Sequence, residues 1–505
     1  MKFRMNLPLR TRPKGALVLL AGMVILLAVS SCRFMPQDSG LPAEDLTPSI
    51  PTDTPLPEVT LPAERPQYTP GELVQYQAQS GDTVPALAKH FNTSVEEIMA
   101  ANPIIPADVT TLPEGLPMEI PIYYRPLWGS SLRILPDYAF VYSAYASDFD
   151  VVRFVAESDG WLRDEEDFTE GTQLKGGEII RHVALSYSIH PQLLLAVLEY
   201  QTGALTSPVR PDFSSGDILG FNAPTRTRLV LQLNLLANTL NNGYYGWRSG
   251  NLEGFTHAAD GRWEYPDPWQ NAASVGLQYT FAQMMDYRHY RVAISEEGIQ
   301  KVFINLFGDP YSVQIELIPG SLQVPEMKLP FEIDVPWTYT GGPHTGWGEG
   351  EPWAAVDFAP PGVTGCASTS SWHTAVSDGV VVRTGPGQLY LDLDGDGDER
   401  TGWVVMYMHT ASNGKLQVGS VVKRGDFLGH PSCEGGSSTG THLHMARKYN
   451  GEWIAASGVL AYDLEGWIVE GTGLPYQGTM VRYGEVVIAT DYSSAKSQIT
   501  STLSD

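Results

Sequence analysis

The chain runs to 505 residues, more than a single hydrophobic core organises, which points to about three domains. Hydrophobic residues at 43% and charged residues at 18% are ordinary for globular protein. The formal net charge of −25, with no basic face to offset it, repels polyanions and excludes nucleic acid as a partner.

At the N-terminus Lys2, Arg4, Arg10, Arg12 and Lys14 precede an apolar run from Ala16 to Val29, followed by small residues and Cys32. A basic stretch, an apolar stretch and small residues in that order make an export signal. An uncleaved membrane helix is the other reading, although the run is short for a span. Val29-Ser30-Ser31-Cys32 resembles the lipobox of bacterial lipoproteins. That resemblance implies that residues 1–32 are signal peptide and lipobox, that the membrane is a partner through lipidated Cys32, and that the body is extracytoplasmic. Residues 33–72 are a proline-rich linker, with nine prolines between positions 36 and 70 and almost no aromatic residue. Such a composition buries no core and reads as a solvated, extended spacer.

Residues 73–123 begin with alternation around Tyr76, then Gly81-Asp82-Thr83, then Ala86, Leu87, Ala88 and Phe91 at helical spacing. Ser94 and Glu97 form a capping box for a second helix that ends at Asn102-Pro103, and Leu116, Met118 and Ile120 make a closing strand. This strand-helix-helix-strand order resembles the LysM peptidoglycan-binding module. It implies recognition of N-acetylglucosamine-containing glycan through the two strand-helix loops.

Residues 137–310 are helical. Ile179, Ile180, Val183, Ala184 and Tyr187 repeat at three and four, and His190-Pro191 restarts a helix with Leu193 to Leu198 on a buried face. Thr225 to Leu240 is a third helix closed by Asn242-Gly243, and Asn271 to Tyr287 a fourth. The segment Ser188 to Gly203 resembles the helix of lysozyme-like lytic transglycosylases that ends in a catalytic Glu-Ser. Here Gln201-Thr202 stands in that place, and glutamine cannot move the proton that glycosidic cleavage needs. Glu199 lies about 200° around the helix from that position. The domain is therefore expected to bind glycan or act as a spacer without glycosidase activity. Tyr244, Tyr245 and Trp247 are either sugar-stacking or core residues.

From Pro336 glycine rises and short alternating strands follow, at 379–382, 403–408 and 418–422, the pattern of antiparallel β-sheet. Six of the eleven histidines fall here. His442 and His444, two apart on a strand, present imidazoles on one face, and His409 follows a strand. A catalytic zinc needs three imidazole or carboxylate ligands and one open position. The combination of His344, Val356-Asp357-Phe358-Ala359-Pro360-Pro361-Gly362, Tyr407-Met408-His409 and Ser438-Thr439-Gly440-Thr441-His442-Leu443-His444 resembles the lysostaphin-like (LytM-type) zinc endopeptidases. By that resemblance residues 330–485 are a zinc peptidase domain acting on peptidoglycan. His344, Asp357 and His444 are its ligands, and His409 and His442 the unliganded catalytic pair. Twelve residues separate His344 from Asp357 where the family has three, so an insertion bearing Trp347, Glu349, Glu351 and Trp353 must loop out. His373 and His430 fit no ligand motif and read as satisfied surface residues.

Two smaller features complete the sequence. Asp392, Asp394, Asp396 and Asp398 alternate through a glycine-bearing turn, which suits Ca2+ or a solvated acidic hairpin equally; Trp403 stands where an EF-hand loop would end in Glu. Cys366 and Cys433 are either two buried thiols or, as their positions around the site favour, a disulfide. Residues 486–505 read as a polar tail. The fold class expected is multidomain α+β, with a small βααβ module, an α-helical, lysozyme-like middle domain and an antiparallel β-rich peptidase domain. A non-catalytic regulator of other wall hydrolases is the competing function.

Overall fold

The computed structural model describes residues 58–502 apart from positions 64 and 127. The expected signal, Cys32 and the first part of the spacer lie outside the described residues. The N-terminal module consists of β1 (Glu72–Gln77), α1 (Val84–His90), α2 (Val95–Ala101) and β2 (Pro117–Ile122), with the two strands antiparallel. Thr83 caps α1, and the Ser94/Glu97 capping box opens α2 as its sequence requires. Leu87, Phe91, Ile98, Leu112 and Ile120 give the module a core of its own. Its two strand-helix loops bond to the chain itself. Ser80 Oγ contacts Ile318 N at 2.9 Å, Thr110 Oγ1 donates to Leu322 O at 2.8 Å and Thr111 Oγ1 to Pro319 O at 2.7 Å. Ile318 and Leu322 are buried there.

The spacer is not solvated throughout. Arg65 pairs with Asp267 and lies over the Trp269 ring, and Tyr68 packs between Trp128 and Trp269. Those two residues give the last stretch of an otherwise polar segment something to bury, so it is docked rather than extended into solvent.

The helical unit comprises α3 (Val151–Ala156), the hairpin of β3 (Glu166–Thr169) and β4 (Thr172–Lys175), α4 (Gly176–Tyr187), α5 (Pro191–Thr202), α6 (Leu229–Arg248), the short pair β5 (Phe255–Thr256) and β6 (Trp263–Glu264), α7 (Ala272–Met284), α8 (Tyr287–Ala293) and α9 (Ile299–Phe307). Helix α6 runs straight through Asn242-Gly243, the pair expected to close it. The glycine is there for contact: a Cβ at Gly243 would stand 2.9 Å from Gly276 Cα and 2.8 Å from Tyr279 Cβ of α7. The expected fourth helix, Asn271 to Tyr287, is α7, which stops at Met284; Asp286 then caps a separate start, α8, accepting from Arg288 N and His289 N. Tyr244, Tyr245 and Trp247 are core residues, with Trp247 stacked 3.5 Å from His90 of α1. Glu199 accepts from Leu205 N, and Gln201 donates to Leu219 O, so both side chains are engaged in local structure.

The C-terminal unit holds β7 (Pro336–His344), β8 (Ala355–Ala359), β9 (His373–Thr374), β10 (Gly379–Gly385), β11 (Gln388–Asp392), β12 (Trp403–Met408), β13 (Val421–Val422), β14 (Phe427–Gly429), β15 (Leu443–Tyr449), β16 (Glu452–Trp453), β17 (Asp463–Leu464), β18 (Trp467–Gly471), β19 (Gly478–Arg482), β20 (Glu485–Ile488) and β21 (Gln498–Thr500). The main antiparallel sheet orders β13-β10-β11-β12-β15-β8-β7-β21, with β16 added to β15. The supposed polar tail is thus structural: β20 edges a second sheet, β21 edges the main one, and Ile499 is buried.

Alternation along the central strands divides the main sheet's two faces. Val356, Phe358, Val405, Tyr407, Leu443 and Met445 fill one core, while Ala355, Val404, Met406 and Ala446 pack towards the helical unit. Arg248 at the end of α6 ties the pieces together, donating to Ser80 O at 2.6 Å and pairing with Asp137 at 2.9 Å and Glu452 at 2.8 Å. The described residues accordingly fall within one compact unit. Among the described residues no helix is long and apolar enough to cross a membrane.

Candidate metal centre and cleft

The sheet register brings the candidate ligands together. Asp357 in the middle of β8 sits directly opposite His444 on β15, and His344 ends the neighbouring strand β7. His344 Nε2 lies 3.0 Å from His444 Nδ1, and each of these nitrogens lies 3.2 Å from Asp357 Oδ1. All three residues are buried. Asp357 Oδ1 has no hydrogen bond of sound geometry despite those two near nitrogens. A buried acceptor facing two imidazole lone pairs is a donor set for a cation, and it fits a metal ion.

Backbone carbonyls fix which nitrogen faces inward. A carbonyl only accepts, so the ring nitrogen against it carries the proton. His344 Nδ1 donates to Gly342 O at 2.8 Å and His444 Nε2 to Gly346 O at 3.2 Å, leaving Nε2 and Nδ1 respectively for the metal. His409 Nδ1 donates to Glu434 O at 3.0 Å and His442 Nδ1 to Gly440 O at 2.8 Å. Their rings lie 4.4 Å apart beside the cluster, with His442 Nε2 3.8 Å from Asp357 Oδ1. His409 reaches this place through a left-handed backbone, φ 61°, just past β12.

Electrostatics follow from burial and the carboxylate. Burial raises the Asp357 pKa, but the imidazoles around it, His344 foremost and then His444 and His442, outweigh it and hold the carboxyl well below its usual range. Burial lowers His344, yet Asp357 and the Gly342 carbonyl leave it raised. Burial dominates at His444, which is lowered. Burial together with the His442 and His444 charges brings His409 down to about 4.

The remaining candidates fall away from this centre. His373 is fully buried, not a surface residue: it stacks on Tyr407 and its Nε2 meets Thr410 Oγ1 at 3.1 Å. His430 donates to Ser371 O at 2.8 Å. In the acidic hairpin, Asp392, Asp394 and Asp396 come close together, but the backbone already uses them. Asp392 accepts from Gly397 N at 2.8 Å and Asp396 from Asp398 N at 2.8 Å, while Asp398 pairs with Arg400 at 2.7 Å. Of the two readings of this hairpin, Ca2+ finds no support: turn capping accounts for the carboxylates. Cys366 and Cys433 are bonded, and their link ties the segment after Asp357 to the approach to His442.

The profile of the LysM domain matches residues 76–120, and that of the LasA N-terminal domain matches residues 133–320. Protease LasA of Pseudomonas aeruginosa is 27% identical over 350 residues, covering 64% of this chain and 75% of the relative. The chain is a homologue of LasA-type metallopeptidases. The beta-lytic metalloendopeptidase of Achromobacter lyticus is 27% identical over 165 residues, 31% of this chain and 41% of that protein. Among solved structures, the M23 metalloprotease pseudoalterin is 26% identical across 32% of this chain and 94% of its own, with a TM-score of 0.28. The catalytic domain of lysostaphin from Staphylococcus simulans is 26% identical across 25% of this chain and 89% of its own, with a TM-score of 0.18. The helical unit, expected from one of its helices to be lysozyme-like, lies wholly within the span that matches the LasA N-terminal profile.

This LasA-type metallopeptidase homologue places the His344, Asp357 and His444 cluster in a cleft of about 1530 Å³. One wall is peptidase, from Pro360 to Gly365 and Gly436 to Thr441; the other is helical, from Tyr187, Asn234 and Asn238. Tyr476 stacks on His344 at 4.2 Å between ring centres. Sequence reading missed it because it sits in a loop beyond the motif-bearing strands, held by a bond from its own N–H to Pro343 O.

Proposed function

We propose that this metallopeptidase homologue is a zinc endopeptidase that hydrolyses peptide bonds in peptidoglycan, with His344, Asp357 and His444 as ligands and His409 and His442 as the unliganded pair. The observation that carries the reading is the triangle of two ring nitrogens and one carboxylate oxygen with edges of 3.0, 3.2 and 3.2 Å. Ligands about 2.0–2.1 Å from a tetrahedral zinc stand roughly 3.3 Å apart, so the triangle matches one face of that coordination.

When bound there, zinc supplies Lewis-acid polarisation of a peptide carbonyl and acidifies water. The chain's own groups do the rest. Gly342 O and Gly346 O hold His344 and His444 in the tautomers that turn a lone pair inward. His409 and His442 keep Nδ1 tied to backbone and Nε2 free. One free imidazole accepts a proton at Nε2 from the attacking water and passes it to the leaving amine, while the other, carrying a second proton on Nε2 as the imidazolium, donates to the tetrahedral oxyanion. With its pKa near 4, His409 is neutral at physiological pH and able to accept.

The LysM unit supports wall recognition, the Cys366–Cys433 bond supports an oxidising, extracytoplasmic setting, and anchoring through lipidated Cys32 completes the proposal. The test is digestion of purified peptidoglycans of different cross-link type, with fragments identified by mass. Wild type is expected to bind one zinc and release peptides. His444→Ala should lose the metal, and His409→Ala should keep it while turnover falls on the order of 10²–10⁴-fold. Full zinc occupancy in His444→Ala, or undiminished turnover in His409→Ala, would remove that residue's role.

A further inference from the structure

His444 owes its inward-facing Nδ1 to one carbonyl, Gly346 O, and that carbonyl belongs to the long loop between His344 and Asp357. Within its own unit the loop is closed by a bond from Gly346 N to Pro352 O at 2.9 Å. The tip is held by a different part of the molecule. Glu349 N donates to Asn238 Oδ1 at 2.6 Å and Glu351 N to Asn242 Oδ1 at 2.7 Å, both on α6 of the helical unit. Asn251 Nδ2 adds a bond to Glu351 Oε1 at 2.8 Å, and Trp347 packs edge-on against Tyr187 of α4.

The spacing of this attachment is matched on both sides. Asn238 and Asn242 are four apart on one helix face, a rise of about 6 Å, and two residues of loop span at most roughly 7 Å. Alternate loop N–H groups therefore meet successive turns of α6. Gly348 and Gly350 make the approach feasible. Both have left-handed φ, 82° and 84°, and a Cβ would stand 2.5 Å from Asn238 Oδ1 at the first and 2.1 Å from Asn242 Oδ1 at the second.

We propose that α6 is a positioning element of the metal centre: Asn238 and Asn242 hold the loop at the height where Gly346 O meets His444 Nε2 and orients that ligand. The helical unit then contributes to metal affinity without itself supplying a ligand. The proposal rests on the ligand assignment above, since it concerns how one of those ligands is held.

The test uses the full chain. Asn238→Leu/Asn242→Leu removes both acceptors at similar volume, while Asn238→Asp/Asn242→Asp keeps an oxygen at each place. Zinc affinity is read by competition with a chromophoric chelator, and ligand geometry by the visible bands of the Co2+-substituted protein. Loss of an outer partner of a ligating histidine typically weakens binding 10- to 100-fold. The leucine pair should bind zinc at least tenfold more weakly, with shifted Co2+ bands, and the aspartate pair should sit near wild type. Melting curves check folding. If the leucine pair does not fold, the single variant Asn238→Ala carries the same comparison with a smaller loss. A leucine pair, or a folded Asn238→Ala, with wild-type affinity and an unshifted spectrum overturns the proposal. Wild type that binds no zinc overturns the ligand assignment instead, so the two failures are distinct.

Discussion

Replacing Cys366 and Cys433 by serine tests both the cleft and the way the whole chain holds together. The bond closes a loop with a sequence separation of 67. Loop-closure entropy for that length corresponds to about 4 kcal/mol of stability. Its effect on melting depends on how much of the chain unfolds with it, because unfolding entropy scales at about 2.1 cal/mol/K per residue. If residues 58–502 melt together, the transition carries roughly 0.9 kcal/mol/K and the double variant loses about 4–5 °C. If the β-rich unit melts alone, its roughly 165 residues carry about 0.35 kcal/mol/K and the loss is about 12 °C. The contacts among the three units favour the smaller shift in a single transition. Scanning calorimetry of wild type and the double variant, with thiol titration of unfolded, unreduced protein, makes the measurement. An unchanged midpoint, or Cys366 and Cys433 both titrating as free thiols in wild type, refutes the reasoning.

Two further outcomes are expected. Burial brings His190 and His373 down to a pKa of about 3. The unfolded chain takes up their protons near pH 6.5, so stability is full above that value and falls as pH drops towards 3, by up to about 5 kcal/mol for each histidine. His373→Gln should therefore lessen the acid-induced loss of melting temperature, and a gap from wild type that does not vary with pH would contradict this. Ile318→Asp/Leu322→Asp should expel the segment that bonds the LysM loops and raise binding of N-acetylglucosamine oligomers by the zinc-stripped protein, read by calorimetry. Equal binding by wild type would show that this segment does not compete for the loops.

Much of the site was legible because its determinants are local. An HxH pair on a strand, a histidine after a strand and an aspartate amid β-forming residues each carry their geometry in their spacing, and strand pairing brought them to one point. The Ser94/Glu97 box likewise declares a helix start within four residues. What escaped depends on partners distant in sequence. Asn242-Gly243 reads as a helix end until α7 is present to need a glycine against it. Residues 498–500 are short and polar, and only the free edge of β7 makes them a strand. His373 looked like a surface residue because nothing nearby in sequence reports that Tyr407 covers it. Tyr476 follows the motifs by more than thirty residues and joins the centre only through its stack on His344.

Arg248 bears on how such a protein can be recombined. Its guanidinium satisfies a carbonyl from the LysM loop, a carboxylate at the start of the helical unit and a carboxylate on the strand beside β15. In sequence the three regions read as exchangeable cassettes, but in space they share a cation whose removal would leave Asp137 and Glu452 facing each other in a buried setting. A graft that swapped the wall-binding module would have to bring a carbonyl to the place of Ser80 O, and a truncation at either linker would open the same cluster to water. Lineages that shuffle these parts must therefore carry the joint along with the cassette or rebuild it.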